Sequence, residues 1–258
     1  MAKQDNNVLS ERKFMLVSSG IIATLSVAMI LARFFSADVL LSNDSYGYLG
    51  FTRCVLENGW KNAILVFPIM ENIPPLLLLI LLSGCKCGLD PKVFGVVVNC
   101  LGVFLTCQGV LFCSLKLYKN RITALSAAIM ICSLPKIYIE GCNIQRDPLF
   151  WSESAWLLYV LLSIAKADFG PGKKEKRYGV FLVFAAALLS ALACLTRKEG
   201  LFFFCLSFFS IMIMLSRKKT LSVSVAVVMI SIPLLVAVFI VYLPWLCGLP
   251  FLPGSFLK

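Results

Sequence analysis

The chain has no histidine, and only 13 of its 258 residues are acidic. Without histidine it lacks the commonest metal ligand and the only side chain that titrates unperturbed near neutral pH. Acid–base chemistry would therefore fall to Asp, Glu, Lys or Cys. Charge of both signs is scarce, at 14% of residues against about 25% in soluble domains. That scarcity, with 60% apolar residues and a mean hydropathy of +0.91, excludes a water-soluble enzyme, a disordered chain and a fibrous repeat. There is no GxGxxG fingerprint, no Walker loop and no half-to-half repeat. The predicted class is an all-α integral membrane protein, multi-pass, in the plasma (inner) membrane of a bacterium or the endoplasmic reticulum of a eukaryote.

Cations are the exception to the shortage, giving a formal net charge of +11. In a soluble protein this would point to nucleic acid. Here the cations sit in short loops between apolar runs, so they read as the positive-inside signal, and no nucleic-acid partner is expected. Of the 11 cysteines, Cys100, Cys107, Cys113, Cys132, Cys194 and Cys205 lie inside apolar runs, where Cys acts as a small hydrophobe. Cys85 and Cys87 form a lone CxC, a poor metal signature. Cys54, Cys142 and Cys247 could be oxidised on an oxidising face, in pairings the sequence leaves open.

Crossing a bilayer takes roughly 20 apolar residues as helix. Spans are predicted at about residues 14–35, 93–115, 122–139, 148–165, 178–195, 201–215 and 221–243. The first is too long for the apolar core of a signal peptide, about 7–15 residues, and is read as an uncleaved helix. The run "PPLLLLILLSG" at 74–84 is too short to cross and is read as an interfacial helix. With residues 1–13 inside, this arrangement puts "GPGKKEKR" and "SRKK" on the same side as the amino terminus. The loop 36–92, the link 140–147 and the turn 196–200 then face outward, as does the tail 244–258.

Those three outward segments hold the candidate site. In "SNDSYGYLGFTRC", Asp44 starts a predicted amphipathic helix with Tyr46, Tyr48, Leu49, Val55 and Leu56 available for an apolar side. Asp44 or Asn43 could equally be no more than its cap. Pro135 and Pro148 bracket a bend with Lys136, Glu140, Arg146 and Asp147, and Asp147 before a proline is also an ordinary helix start. Glu153 lies about one and a half turns into the fourth span, a functional candidate unless it snorkels out. Arg197 and Lys198 sit on the face where a purely topological signal would not place them, which suggests an anionic ligand such as a phosphate. "LFFFCLSFF" at 201–209 reads as lipid-facing or packed helix.

At these residues the chain resembles the GT-C glycosyltransferase superfamily, multi-span enzymes that transfer sugars from polyprenyl-phosphate or polyprenyl-diphosphate carriers. Oligosaccharyltransferase catalytic subunits, protein O-mannosyltransferases and lipid A aminoarabinose transferases belong to it. Asp44, Tyr46, Tyr48 and Gly59 match its first external loop. Pro74, Pro75, Asn99 and Gly102 follow in similar order, then Ala124, Ala127, Ala128, Pro135, Tyr138, Gly141 and Asp147, and finally Arg197, Glu199 and Gly200. The likeness runs over about residues 14–215 and is one of order rather than tight spacing.

The resemblance implies Asp44 as the catalytic carboxylate, Asp147 as the acid of the second external loop, and Arg197 on the carrier phosphate, with Lys198, Arg146 and Lys136 in support. Tyr46, Tyr48 and Glu153 are secondary candidates. It also implies a polyprenyl-phosphate-linked sugar donor, a lipid, glycan or protein acceptor, and contact with membrane lipid. Metal-dependent relatives carry two nearby acids in the second loop. Here Asp147 stands alone in "CNIQRDPL", so a divalent metal (Mg or Mn, on Asp44 and Asp147) is not firmly implied. Relatives usually continue through further spans, so the likeness implies a truncated or minimal member. The other readings are an inactive GT-C fragment, or a non-catalytic polytopic protein such as a lipid-carrier flippase, transporter or assembly scaffold.

Overall fold

The computed structural model describes residues 2–36, 42–72, 74–166 and 173–218, and among these there is no strand. The helices are α1 (Ala2–Ser36), α2 (Asn43–Val66), α3 (Leu76–Lys86), α4 (Pro91–Tyr118), α5 (Arg121–Cys132), α6 (Pro135–Cys142), α7 (Asp147–Lys166), α8 (Lys173–Thr196) and α9 (Gly200–Lys218), with a 3-10 turn at Pro68–Asn72. Among the described residues four stretches are long and apolar enough to cross a membrane: Lys13–Ala32, Pro91–Tyr118, Asp147–Lys166 and Arg177–Thr196. The described residues are thus all-helical in class, with the apolar helices of a membrane protein. The expected span 221–243, the tail 244–258 and Cys247 lie outside the described residues.

The third predicted span, 122–139, is not one helix. α5 and α6 meet at a bend of 54°, and only as a pair do they pass the length and composition test for a fifth crossing. The cause is Pro135, which pushes the residue before it out of the helical region: Leu134 is extended, at φ −66° and ψ 127°. The basic stretch 173–177, expected as loop, forms the first turns of α8.

α4 is the centre of the bundle, and its largest contact is with α7. Three glycines seven residues apart lie along α4, two of them in that seam. A Cβ on Gly102 would lie 2.8 Å from the backbone of Pro148 and on Gly109 2.7 Å from Ala155, while on Gly95 it would lie 2.9 Å from Ile144 in the link before α7. Surfaces this close gain dispersion contacts, the usual basis of helix association where no water is displaced. Across the same seam Trp156 Nε1 donates to the Leu105 carbonyl at 3.1 Å. At one end of the bundle Lys166 Nζ donates to the Lys116 carbonyl, Lys116 lies 5.9 Å from the Tyr159 ring, and Arg121 lies 5.5 Å from the Phe14 ring.

The segment between α1 and α4 has a small core of its own. α2 buries Tyr48, Phe51, Trp60 and Ala63 against Leu77, Leu78, Leu81 and Leu82 of α3, with Ile144 beneath. The helix breaks at Gly59, whose φ of 78° and ψ of 166° suit glycine alone. The apolar side expected for α2 is partly wrong. Tyr46 is 58% and Leu56 47% exposed, because the buried stripe runs through Ser45, Tyr48, Phe51 and Thr52. α3 has 11 residues, about 17 Å at helical rise, so it is too short to cross. α9 has a described apolar stretch of only Gly200–Ile211.

Candidate functional site

The end of the bundle away from Lys116 and Lys166 gathers three segments far apart in sequence. Ser42 caps α2: its Oγ accepts from the Ser45 amide at 3.3 Å. Capping by Asp44 or Asn43 is therefore not what occurs. Asp44 stands exposed in the first turn and makes no hydrogen bond or ion pair with a described residue. The cap is tied to the link before α7. The Ser42 amide donates to Asn143 Oδ1 at 3.2 Å, Gln145 Nε2 donates to Ser42 Oγ at 3.0 Å, and the Ile144 amide donates to Ser45 Oγ at 3.0 Å. Beneath this lacing, buried Asn99 of α4 donates through Nδ2 to the Asn143 carbonyl.

The third segment is the turn between α8 and α9. Arg197 Nη1 donates to Asp147 Oδ1 at the start of α7. Its Nε and Nη2 grip the two Glu199 oxygens at 3.2 and 3.1 Å, a bidentate arrangement. The face of the guanidinium lies 5.6 Å from the Phe150 ring. One cation is thus held by two carboxylates and an aromatic ring. Burial lowers the Arg197 pKa, but the Glu199 hydrogen bonds and the charge of Asp147 outweigh it, and the net shift is upward. Glu199 moves down, through a backbone hydrogen bond at its own amide and then through Arg197.

Between the segments stands Tyr48. Burial pushes its phenol up to about 12, and the charges of Arg146, Asp44, Asp147 and Arg197 all act on it. These five residues therefore belong to one electrostatic neighbourhood. Arg146 is half-buried and makes no hydrogen bond or ion pair with a described residue, while its charge reaches both Tyr48 and Glu199. Glu140 feels Asp147, Lys136 and Asp44. Lys136 and Lys198 are exposed. Tyr46 is not drawn in; it sits on the open side of α2.

Glu153 does not snorkel. It is 6% exposed, and its Oε1 accepts from Thr196 Oγ1 at 2.8 Å while Oε2 has no partner among the described residues. Asn99 Oδ1 and Gln108 Nε2 are likewise buried without a described partner.

Of the residues singled out in the sequence, Asp44, Tyr48, Arg146, Asp147 and Arg197 lie at this end of the bundle, with Ser42, Asn143, Gln145, Thr196 and Glu199, which were not singled out as site residues, bonded around them. Glu199 carried a signal, an acid two residues after an arginine in a turn, and so did Ser42, a serine just before a helix. Asn143, Gln145 and Thr196 did not, since the partners that matter lie on distant segments. Among the described residues no three His, Cys, Asp or Glu side chains converge, and the Asp147 carboxylate faces a guanidinium. Comparison with family models, with curated proteins and with solved structures gives no match for this chain.

Proposed function

We propose that the chain is a seven-span membrane glycosyltransferase of the GT-C kind, moving a sugar from a polyprenyl-phosphate carrier to an acceptor at the non-cytoplasmic membrane face. The observation that carries this reading is an exposed, unpartnered Asp44 in the same electrostatic neighbourhood as the free Arg146 and the clamped Arg197. A base and a cation without a described partner at the rim of an apolar bundle suit transfer from a lipid phosphate. The charges of the two bundle ends support the sidedness, with Lys116, Lys166 and Arg121 far from this cluster.

In the proposed reaction the Asp44 carboxylate takes the proton of the acceptor hydroxyl as its oxygen bonds to the anomeric carbon. The bond from that carbon to the phosphate oxygen breaks, and the electron pair leaves with the phosphate. Arg146, with Lys136 and Lys198, meets the charge that develops there. Arg197, already neutralised by Asp147 and Glu199, orders the phosphate side. A single displacement inverts the anomeric centre, and no step runs through a metal. The test is turnover of radiolabelled polyprenyl-phosphate-sugar in membranes. Asp44→Asn should abolish it with insertion intact, and undiminished transfer by that variant would overturn the assignment.

One observation favours a second reading, a non-catalytic lipid-carrier flippase, transporter or scaffold. Gln108 is buried within α4, accepts from Ser19 Oγ at 3.0 Å, and leaves Nε2 unpaired. Polar groups at that depth are typical of permeation paths. Carrier movement across vesicles without sugar turnover would decide for it.

A further inference from the structure

Glu153 is the buried acid that the proposed reaction does not use. It lies six residues after Asp147 on α7, deeper in the bundle than the Asp147–Arg197 pair. No cation pairs with it among the described residues. Its one partner is the hydroxyl of Thr196, which is fully buried and is the last residue of α8. The next residue is Arg197, whose amide still bonds back to the Ala193 carbonyl at 2.9 Å. Gly200 then closes the turn so tightly that a Cβ there would lie 2.2 Å from the Ala193 oxygen. The α8 end of the turn 197–199 is therefore pinned twice, by Glu153 through Thr196 and by Asp147 through Arg197. Both pins come from α7, six residues apart.

We propose that Glu153 is a positioning residue: through Thr196 it fixes the end of α8 and so sets where the Arg197 guanidinium stands against Asp147. The proposal rests on the glycosyltransferase reading only for its effect on turnover. The pinning itself is independent of any activity. The Thr196 hydroxyl has one proton and also lies 2.8 Å from the Leu192 carbonyl, so the position needs a hydrogen-bonding group of the right length and not a carboxylate charge. Gln supplies that group through an amide that can accept or donate.

The experiment uses the full chain in nanodiscs, with the variants Glu153→Gln, Glu153→Ala, Thr196→Val and the double variant Glu153→Ala/Thr196→Val. The first readout is tryptic cleavage in the turn after Arg197 or Lys198, followed by fragment mass. The second is turnover of a polyprenyl-phosphate-sugar, with Asp44→Asn alongside. Glu153→Ala and Thr196→Val should each speed cleavage about ten-fold, the scale of one lost buried hydrogen bond. The double variant should match either single variant, and Glu153→Gln should match the unsubstituted protein. In turnover, the two single variants should raise KM about ten-fold at little-changed kcat, unlike Asp44→Asn. Additive effects in the double variant, or cleavage that none of the substitutions changes, would overturn the proposal. So would a Glu153→Gln variant that loses turnover while Thr196→Val keeps it, since Glu153 would then act as an acid itself. An unsubstituted protein with no turnover overturns the glycosyltransferase reading and leaves the cleavage result to decide the pinning.

Discussion

Arg197 and Asp147 are 50 residues apart in the chain, yet the guanidinium of one rests on the carboxylate of the other at a corner where α7 begins and α8 ends. Both side chains are only about a quarter exposed, at 26% and 22%, so solvent screens this pair less than a surface one. Replacing Asp147 with Asn should cost about 1–2 kcal/mol, the lower part of the range for a charge-assisted bond, given the partial exposure. A double-mutant cycle with Arg197→Gln, read by thermal unfolding in detergent, should show the coupling; a cycle with no coupling term would mean the pair contributes nothing to the fold.

Asp44 and Ser42 should separate function from stability. Ser42→Ala removes the α2 cap and the Gln145 bond, so it should destabilise by about 1 kcal/mol. Asp44→Asn touches no described partner and should shift stability by less than about 0.5 kcal/mol while ending turnover. Thermal unfolding of the two variants side by side checks both signs.

The glycine seam predicts a position-dependent cost for one extra methyl group. Gly102→Ala drives a Cβ to 2.8 Å from the Pro148 backbone, which cannot swing aside, and should cost about 1–3 kcal/mol. Gly20→Ala on α1 meets nothing within 4 Å and should be neutral or stabilising by up to about 1 kcal/mol. Equal melting temperatures for the two variants would contradict the packing described.

The site should respond to pH at both extremes. Glu199 has a pKa below its ordinary value of 4.5, so its contribution is complete above that value and fades as pH falls through the lower folded one. Tyr48 is raised from 10.0 to about 12, so its contribution is complete below pH 10 and fades as pH rises toward 12. Thermal unfolding in detergent should lose the Glu199 contribution as pH falls below that carboxyl's ordinary range, a loss that Glu199→Gln should blunt.

Much of this was legible in the chain because membrane helices are written as composition. The predicted spans 14–35, 93–115, 148–165 and 178–195 each fall on a helix long enough to cross. Pro135 was visible, but the helix that resumes beyond it was not, since a proline fixes only its neighbours. Asp147 and Arg197 pair, a tertiary fact with no local signal, while Asp44 bonds to neither. The same holds for Glu153 and Thr196, 43 residues apart. Tyr46 was misplaced because a helical face cannot be chosen before its partner is known; the partner is α3, through Tyr48 and Phe51.

The glycine seam also decides where this molecule can give way. Helices keyed together at Gly102 and Gly109 cannot slide without lifting apart, so α4 and α7 form a fixed wall. Outside that wall α2 is already broken at Gly59, where the chain takes a conformation that suits glycine alone.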